Sequence, residues 1–305
     1  MSESPKSGAP RQEAPEPPQG FVRELSQFFI VPSLIVLLCV AVFIMFGLLT
    51  SETRSAREHL QVIRTGSESA RWQAAFELSQ IIAREPALKA DAALLDDVIG
   101  LLAPPAGSDP RVRKYLMLAL EKLGNPRAGP ALIGGLRDPD PEVRLAAARA
   151  IGSLRGVEGA VAALEALLAD ADQGIRKTAV FSLGQMEDPA AIAVLRPLLA
   201  DPIEEIRWNS AVALAVLRDP AGREVIASMI DRRHLDGVAG ITEDQKVAAM
   251  LNGVQAIYLL RDASFADRLR DLSRNDPSLK VRDLCIRVLE AIDKEPDAGS
   301  GAGNS

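Results

Sequence analysis

The 305 residues carry a mild net charge of −6, with 48% hydrophobic but only 4% aromatic residues. Such an excess of Ala, Leu, Val and Ile suits closely packed helices better than a β-sandwich, which draws on aromatic and β-branched side chains. The lack of net positive charge argues against a nucleic-acid partner, and the two cysteines, Cys39 and Cys285, form neither a disulfide framework nor a zinc-ligand pattern.

In chain order, residues 1–20 are rich in Pro, Glu, Ser and Gly, a composition that buries too little surface to offset chain entropy and reads as a disordered tail. Within the next segment, 21–50, the run 28–50 holds no charged residue over 23 positions. As a helix that length reaches about 34 Å, which predicts a transmembrane anchor across about 30 Å of hydrocarbon. Its basic flanks are balanced, with Lys6, Arg11 and Arg23 before it and Arg54, Arg57 and Arg64 after it. A short leading tail ahead of an uncleaved span tends to stay in the cytoplasm. The expectation is therefore a single-pass protein of the inner cell membrane with its main domain extracytoplasmic. Residues 51–66, including SAREHLQVIR, read as a helical stalk, and 294–305 as a second disordered tail.

Between them, 67–293 is helical and repetitive. DPRVRKYLMLALEKL, DPEVRLAAARAIGSL, DQGIRKTAVFSLGQM and PIEEIRWNSAVALAVL each contain an arginine, at 113, 144, 176 and 207, separated by 31, 32 and 31 residues. Arg71 and Arg282 fit the same phrase, and Met250 falls where an arginine is expected. An apolar residue precedes each well-formed arginine, small residues follow three and four later, and larger apolar ones follow seven and ten later. These steps keep one helical face apolar. Shorter helices alternate with the arginine-bearing ones. A single hairpin cannot bury its own face, so the period predicts an all-α solenoid of six or seven stacked hairpins. DRRHLDGVAGITEDQ, 231–245, interrupts the period as an insertion.

The phrase resembles the HEAT repeat, in particular the short bacterial type of the phycobilisome-lyase-like group, over about 67–293. The resemblance implies a HEAT/armadillo-like superhelix whose arginine-bearing helices line a concave face. It also implies a structural ladder joining Asp138 to Arg144, Asp170 to Arg176, Asp201 to Arg207 and Asp276 to Arg282. Each aspartate precedes its arginine by six, so the alternative is that it caps the following helix.

No histidine–metal spacing, phosphate loop or nucleophile pattern is present in the sequence, and no metal, cofactor or small-molecule substrate is expected. Positions one, five and eight after the arginine share an outer face. There stand Trp72, Phe76, Lys114, Arg149, Lys177, Phe181, Trp208 and Arg287. Aromatic and arginine side chains favour interfaces, which makes these the candidate contacts for a protein partner; alternatively the tryptophans fill gaps between helices. The expected function is a non-catalytic, membrane-anchored protein-binding scaffold. The alternative the resemblance raises is a bilin lyase or isomerase, or a regulatory subunit of a membrane complex.

Overall fold

A computed structural model describes residues 31–50, 55–104 and 106–294. These form two units divided between Arg54 and Ser55. Among the described residues every regular element is helical. Of the segments read as disordered tails, 1–20 and 294–305, all but Lys294, the last residue of the final helix, lie outside the described residues.

The first unit holds α1, Val31–Thr50, with Pro32 in its first turn, where its missing N–H costs no helical hydrogen bond. Here the expectation of a membrane anchor is corrected. Among the described residues no helix is long and apolar enough to cross a membrane. The single-pass inner-membrane placement, and the side of the membrane inferred from it, fall with the anchor.

The second unit opens with α2, Ala56–Thr65. Ser55 and Glu58 close a capping box at its start. Ala56, Leu60 and Ile63, read as part of a stalk, are buried in the same core as the repeats. The arginine-bearing helices, with α14 as the counterpart that carries Met250 in place of the arginine, follow as α3 (Glu68–Arg84), α5 (Pro110–Leu123), α7 (Pro141–Gly152), α9 (Gln173–Gln185), α11 (Glu204–Val216), α14 (Glu243–Leu260) and α16 (Leu279–Lys294). Between them lie the shorter α4 (Ala92–Gly100), α6 (Gly129–Gly135), α8 (Ala160–Ala166), α10 (Ala191–Leu195), α12 (Arg223–Met229), α13 (Arg232–Asp236) and α15 (Ala266–Asn275). Each arginine-bearing helix packs on the next one, from α3 through α16, and the extensive contacts all join neighbours along the chain. That nearest-neighbour pattern is what defines a solenoid.

Local chemistry sets the boundaries. Asp109, Asp140 and Asp172 accept first-turn N–H groups of α5, α7 and α9, and Pro110 and Pro141 occupy the first helical position. Gly124 ends α5 in the left-handed region at φ 65°. Val112, Val143, Ile175, Ile206 and Val281, each just before its arginine, are buried. Leu120, Ile151, Leu183 and Leu214, each seven after it, are wholly buried.

The helices approach closely where glycine permits. A Cβ at Gly184 would lie 2.6 Å from the Cβ of Ala213, and one at Gly152 2.6 Å from the Cβ of Ser182. Ser182 Oγ, in turn, donates to the Ala148 carbonyl across the same gap at 2.7 Å. Two core clusters meet on α11: Ile206, Ala213 and Leu214 belong to the N-terminal one, Trp208, Ala211 and Ala215 to the C-terminal one.

Candidate partner-binding surface

The arginines come first, because they decide which charges remain available. Arg144 Nη1 donates to the backbone carbonyls of Asp138 and Pro139 at 2.9 and 3.1 Å, while its other two nitrogens grip the Asp170 carboxylate at 2.8 and 3.2 Å. Arg113 does likewise, bonding the Gly107 and Ser108 carbonyls and holding Asp138 at 2.7 and 2.8 Å. The expected pairing of each aspartate with the arginine six residues on is thus not the one formed here. Arg113 and Arg144 each tie the loop before their own helix through the backbone, and reach forward to the carboxylate of the next repeat. Fork-to-fork geometry of this kind suits arginine and not lysine.

The spacing of six reports only the backbone contact: Arg176 meets the Asp170 carbonyl and Arg207 the Asp201 carbonyl, both at 2.6 Å. Among the described residues Arg176 and Asp201 form no ion pair, and neither do Arg282 and Asp276. Nor are these aspartates the helix caps. Each uses Oδ1 to accept the N–H two residues on, as Asp138 does from Asp140 at 2.9 Å.

The exception at Met250 is filled from the insertion. Met250 is wholly buried, and no arginine on α14 reaches Asp276. Instead Arg232, on α13, grips the Asp276 carboxylate at 2.9 and 3.0 Å and also pairs with Glu243. Asp276 lies 26 residues beyond Met250, as Asp170 lies 26 beyond Arg144. The inserted segment thus supplies the arginine that its repeat lacks. Leu235 anchors it in the core, and His234 reaches Glu204 at 3.2 Å.

These forks shift the acids. The Arg144 fork holds the Asp170 carboxyl below the usual carboxylate range. At Asp138 burial pushes upward, yet the Arg113 fork, the Asp140 N–H and nearby arginine charge outweigh it and leave that carboxyl lowered too.

The partner candidates separate into three groups. Trp208 is only 7% exposed and belongs to the C-terminal core, so the gap-filling alternative describes its place. Lys114 and Lys177 are engaged with Glu142 and Glu205 of the following helix at 3.0 and 2.9 Å, a second set of ties between repeats. Arg287 pairs along its own helix with Asp283 at 2.9 Å. On the surface remain Phe76, 42% exposed, Phe181, 55% exposed, and Arg149. Trp72 is half-buried beside Phe76.

Tyr115, which the one-five-eight spacing passes over, completes a cluster with these two. Its ring stacks on Trp72 with centroids 6.4 Å apart and meets Phe76 edge-on at 5.2 Å. Arg111 lies over Trp72 at 5.6 Å and Lys114 over Tyr115 at 5.7 Å. Tyr115 stands two after its arginine, and only the packing of α5 on α3 shows that it turns toward Phe76. The insertion, meanwhile, lies against α11, where a cavity of about 230 Å³ opens between Trp208 and the loop 238–241.

Neighbour-stacked hairpins tied by arginine forks define the class: this is an α-solenoid of helical repeats. The family model of HEAT repeats matches residues 101–177 and 161–243. Among solved structures, the complex of CpcE and CpcF of phycocyanin lyase from Nostoc sp. PCC7120 is similar at 21% identity and a TM-score of 0.51, with 80% of this chain and 96% of that chain covered. The Escherichia coli protein YibA is similar at 15% identity and a TM-score of 0.47, covering 80% and 96%. A designed armadillo repeat protein is similar at 20% identity and a TM-score of 0.43, covering 78% and 100%. At such identities the first likeness shows the fold alone, and no curated protein matches the chain in sequence.

Proposed function

We propose that the repeat unit is a non-catalytic scaffold that binds a protein partner on the outer face of its arginine-bearing helices. The observation that carries this reading is the placement of aromatic side chains. Between 55 and 294 only seven residues are aromatic, and Phe76 and Phe181 stand exposed at the same position of two different repeats. Trp72 and Tyr115 flank the first of them. Large apolar groups held at the surface at equivalent positions cost solvation unless something covers them, and aromatic anchors dominate binding energy at interfaces. The engagement of Asp138, Asp170 and Asp276 by arginine forks supports a structural use of the buried carboxylates.

The test is co-purification of the full chain with partners from its own cells, comparing wild type with the double variant Phe76→Ala/Phe181→Ala. The double variant is expected to lose the partner while its helical circular dichroism and melting curve are unchanged. Retention of the same partner at undiminished yield would remove the surface from the scheme.

A further inference from the structure

We propose that the exposed face of α16 is a self-association surface, on which a second copy of this chain lays its own α16 in the antiparallel sense. The repeat itself shows what this face lacks. The residue four after the arginine, or after Met250, is buried in every other described repeat: Ala75, Met117, Ala148, Val180, Ala211 and Val254. Elements further along the chain cover it, since Met117 lies against Gly135 of α6 and Ala211 against Gly222, just before α12. The counterpart on α16, Ile286, is 46% exposed, and Leu279, seven residues earlier on the same face, is 71% exposed. Leu289 is half-buried where Leu120, Ile151, Leu183 and Leu214 are wholly buried.

The charges on this face are also unspent. Arg113 and Arg144 reach forward to a carboxylate of the next repeat, whereas the Arg282 guanidinium has no ion-pair partner among the described residues. Glu290 and Asp293, exposed along the same face, have none there either. Arg287 and Asp283 pair with each other to one side of it. Exposed large apolar side chains flanked by free charges of both signs are the composition of an interface.

Charge order selects the occupant. Along the face stand Leu279, Arg282, Ile286, Glu290 and Asp293, the cation before the isoleucine and the anions after it. Laid antiparallel on its own copy about Ile286, the face brings each Arg282 opposite the other copy's Glu290 and sets Ile286 on Ile286. A parallel pairing would set arginine on arginine and glutamate on glutamate. A twofold interface requires this self-complementarity. Head-to-tail stacking fits poorly, because the exposed side chains of α2 are Arg57, Glu58, Gln61, Arg64 and Thr65, with nothing apolar to meet Leu279 or Ile286. A further repeat of the same kind fits poorly too. Gly152 and Gly184, eight after their arginines, let the next helix close in, and α16 carries Glu290 at that position. Residues 295–305 hold no Leu, Ile, Val, Met or aromatic side chain that could cover the face.

Sedimentation equilibrium of the full chain tests this, with helical circular dichroism confirming that each variant folds. Wild type is expected to show a reversible monomer–dimer equilibrium. Ile286→Glu should weaken dimerisation by about a hundredfold. Arg282→Glu and Glu290→Arg should each do the same, because each sets like charges across the twofold. The double variant Arg282→Glu/Glu290→Arg should recover the dimer, since the reversed pair is again complementary. A wild-type chain that stays monomeric up to about 100 μM overturns the proposal. So does a dimer that neither single reversal weakens, or a double variant that associates no better than the singles. Phe76→Ala/Phe181→Ala should dimerise as wild type does, so the failure of either reading leaves the other standing.

Discussion

At the residue scale, the arginine forks account for much that the repeated phrase encodes. Asp170 is the clearest case, since its carboxylate meets the Arg144 fork and the Asp172 N–H together. Asp170→Ala leaves that fork without its carboxylate and should destabilise the repeat unit by about 2 kcal/mol, read as a shift of the urea midpoint. The same groups set an acid limit. Asp138 and Asp170 ionise more readily folded than unfolded, so their stabilisation is complete above the unfolded carboxylate value near 3.9 and is lost as pH falls through the lower folded values. Unfolding free energy should therefore fall steeply below about pH 4, and the slope should flatten when both aspartates are replaced by Asn. Burial pushes the Cys285 thiol up to about 11. A thiol-alkylating reagent at neutral pH should label the exposed Cys39 and leave Cys285 unmodified in the folded chain.

At the scale of elements, two devices hold helices together, and both can be tested by swapping parts. Small residues allow the close approach of α9 and α11, where Gly184 faces Ala213. Gly184→Val should force those helices apart at a cost of about 1–3 kcal/mol, whereas Gly134→Ala, which meets nothing within 4 Å, should be tolerated. The insertion is the second device. If Arg232 stands in for the arginine missing at Met250, then Arg232→Met should destabilise the C-terminal repeats by about 2 kcal/mol by stripping a buried carboxylate of its fork. Met250→Arg in that background should restore part of the loss. Equal stability of the single and double variants would show that an arginine at 250 does not take the place of Arg232 at Asp276.

At the scale of the repeat unit, stability is the sum of each hairpin and its contacts with the next. The core divides on α11 into two clusters, with Trp72 packed against one and Trp208 inside the other. Single-tryptophan variants, Trp72→Phe and Trp208→Phe, therefore report the two clusters separately. Urea midpoints followed by fluorescence are expected to differ between them, whereas coincident midpoints would mean that the repeats unfold as one cooperative unit.

Much of this was readable from the amino acids because the information is local. A 31- or 32-residue period, a valine or isoleucine before each well-formed arginine, and Asp-Pro starts specify helices and their buried faces wherever neighbours have the same shape. Contacts between repeats were not readable in the same way. The six-residue spacing of Asp138 and Arg144 pointed to a side-chain pair, but it marks a backbone contact, because the carboxylate is drawn to the preceding repeat's Arg113. Trp72 and Trp208 share a template position, yet Trp72 is half-buried against the N-terminal cluster and Trp208 is buried within the C-terminal one. The charge-free run at 28–50 suggested an anchor from composition alone, and no described helix is long and apolar enough to be one. Sequence by itself determined which residues turn inward along each helix, since that follows from 3.6 residues per turn. Only the tertiary structure decided which charges and rings meet across helices, since that depends on distances between segments some 25 to 45 residues apart.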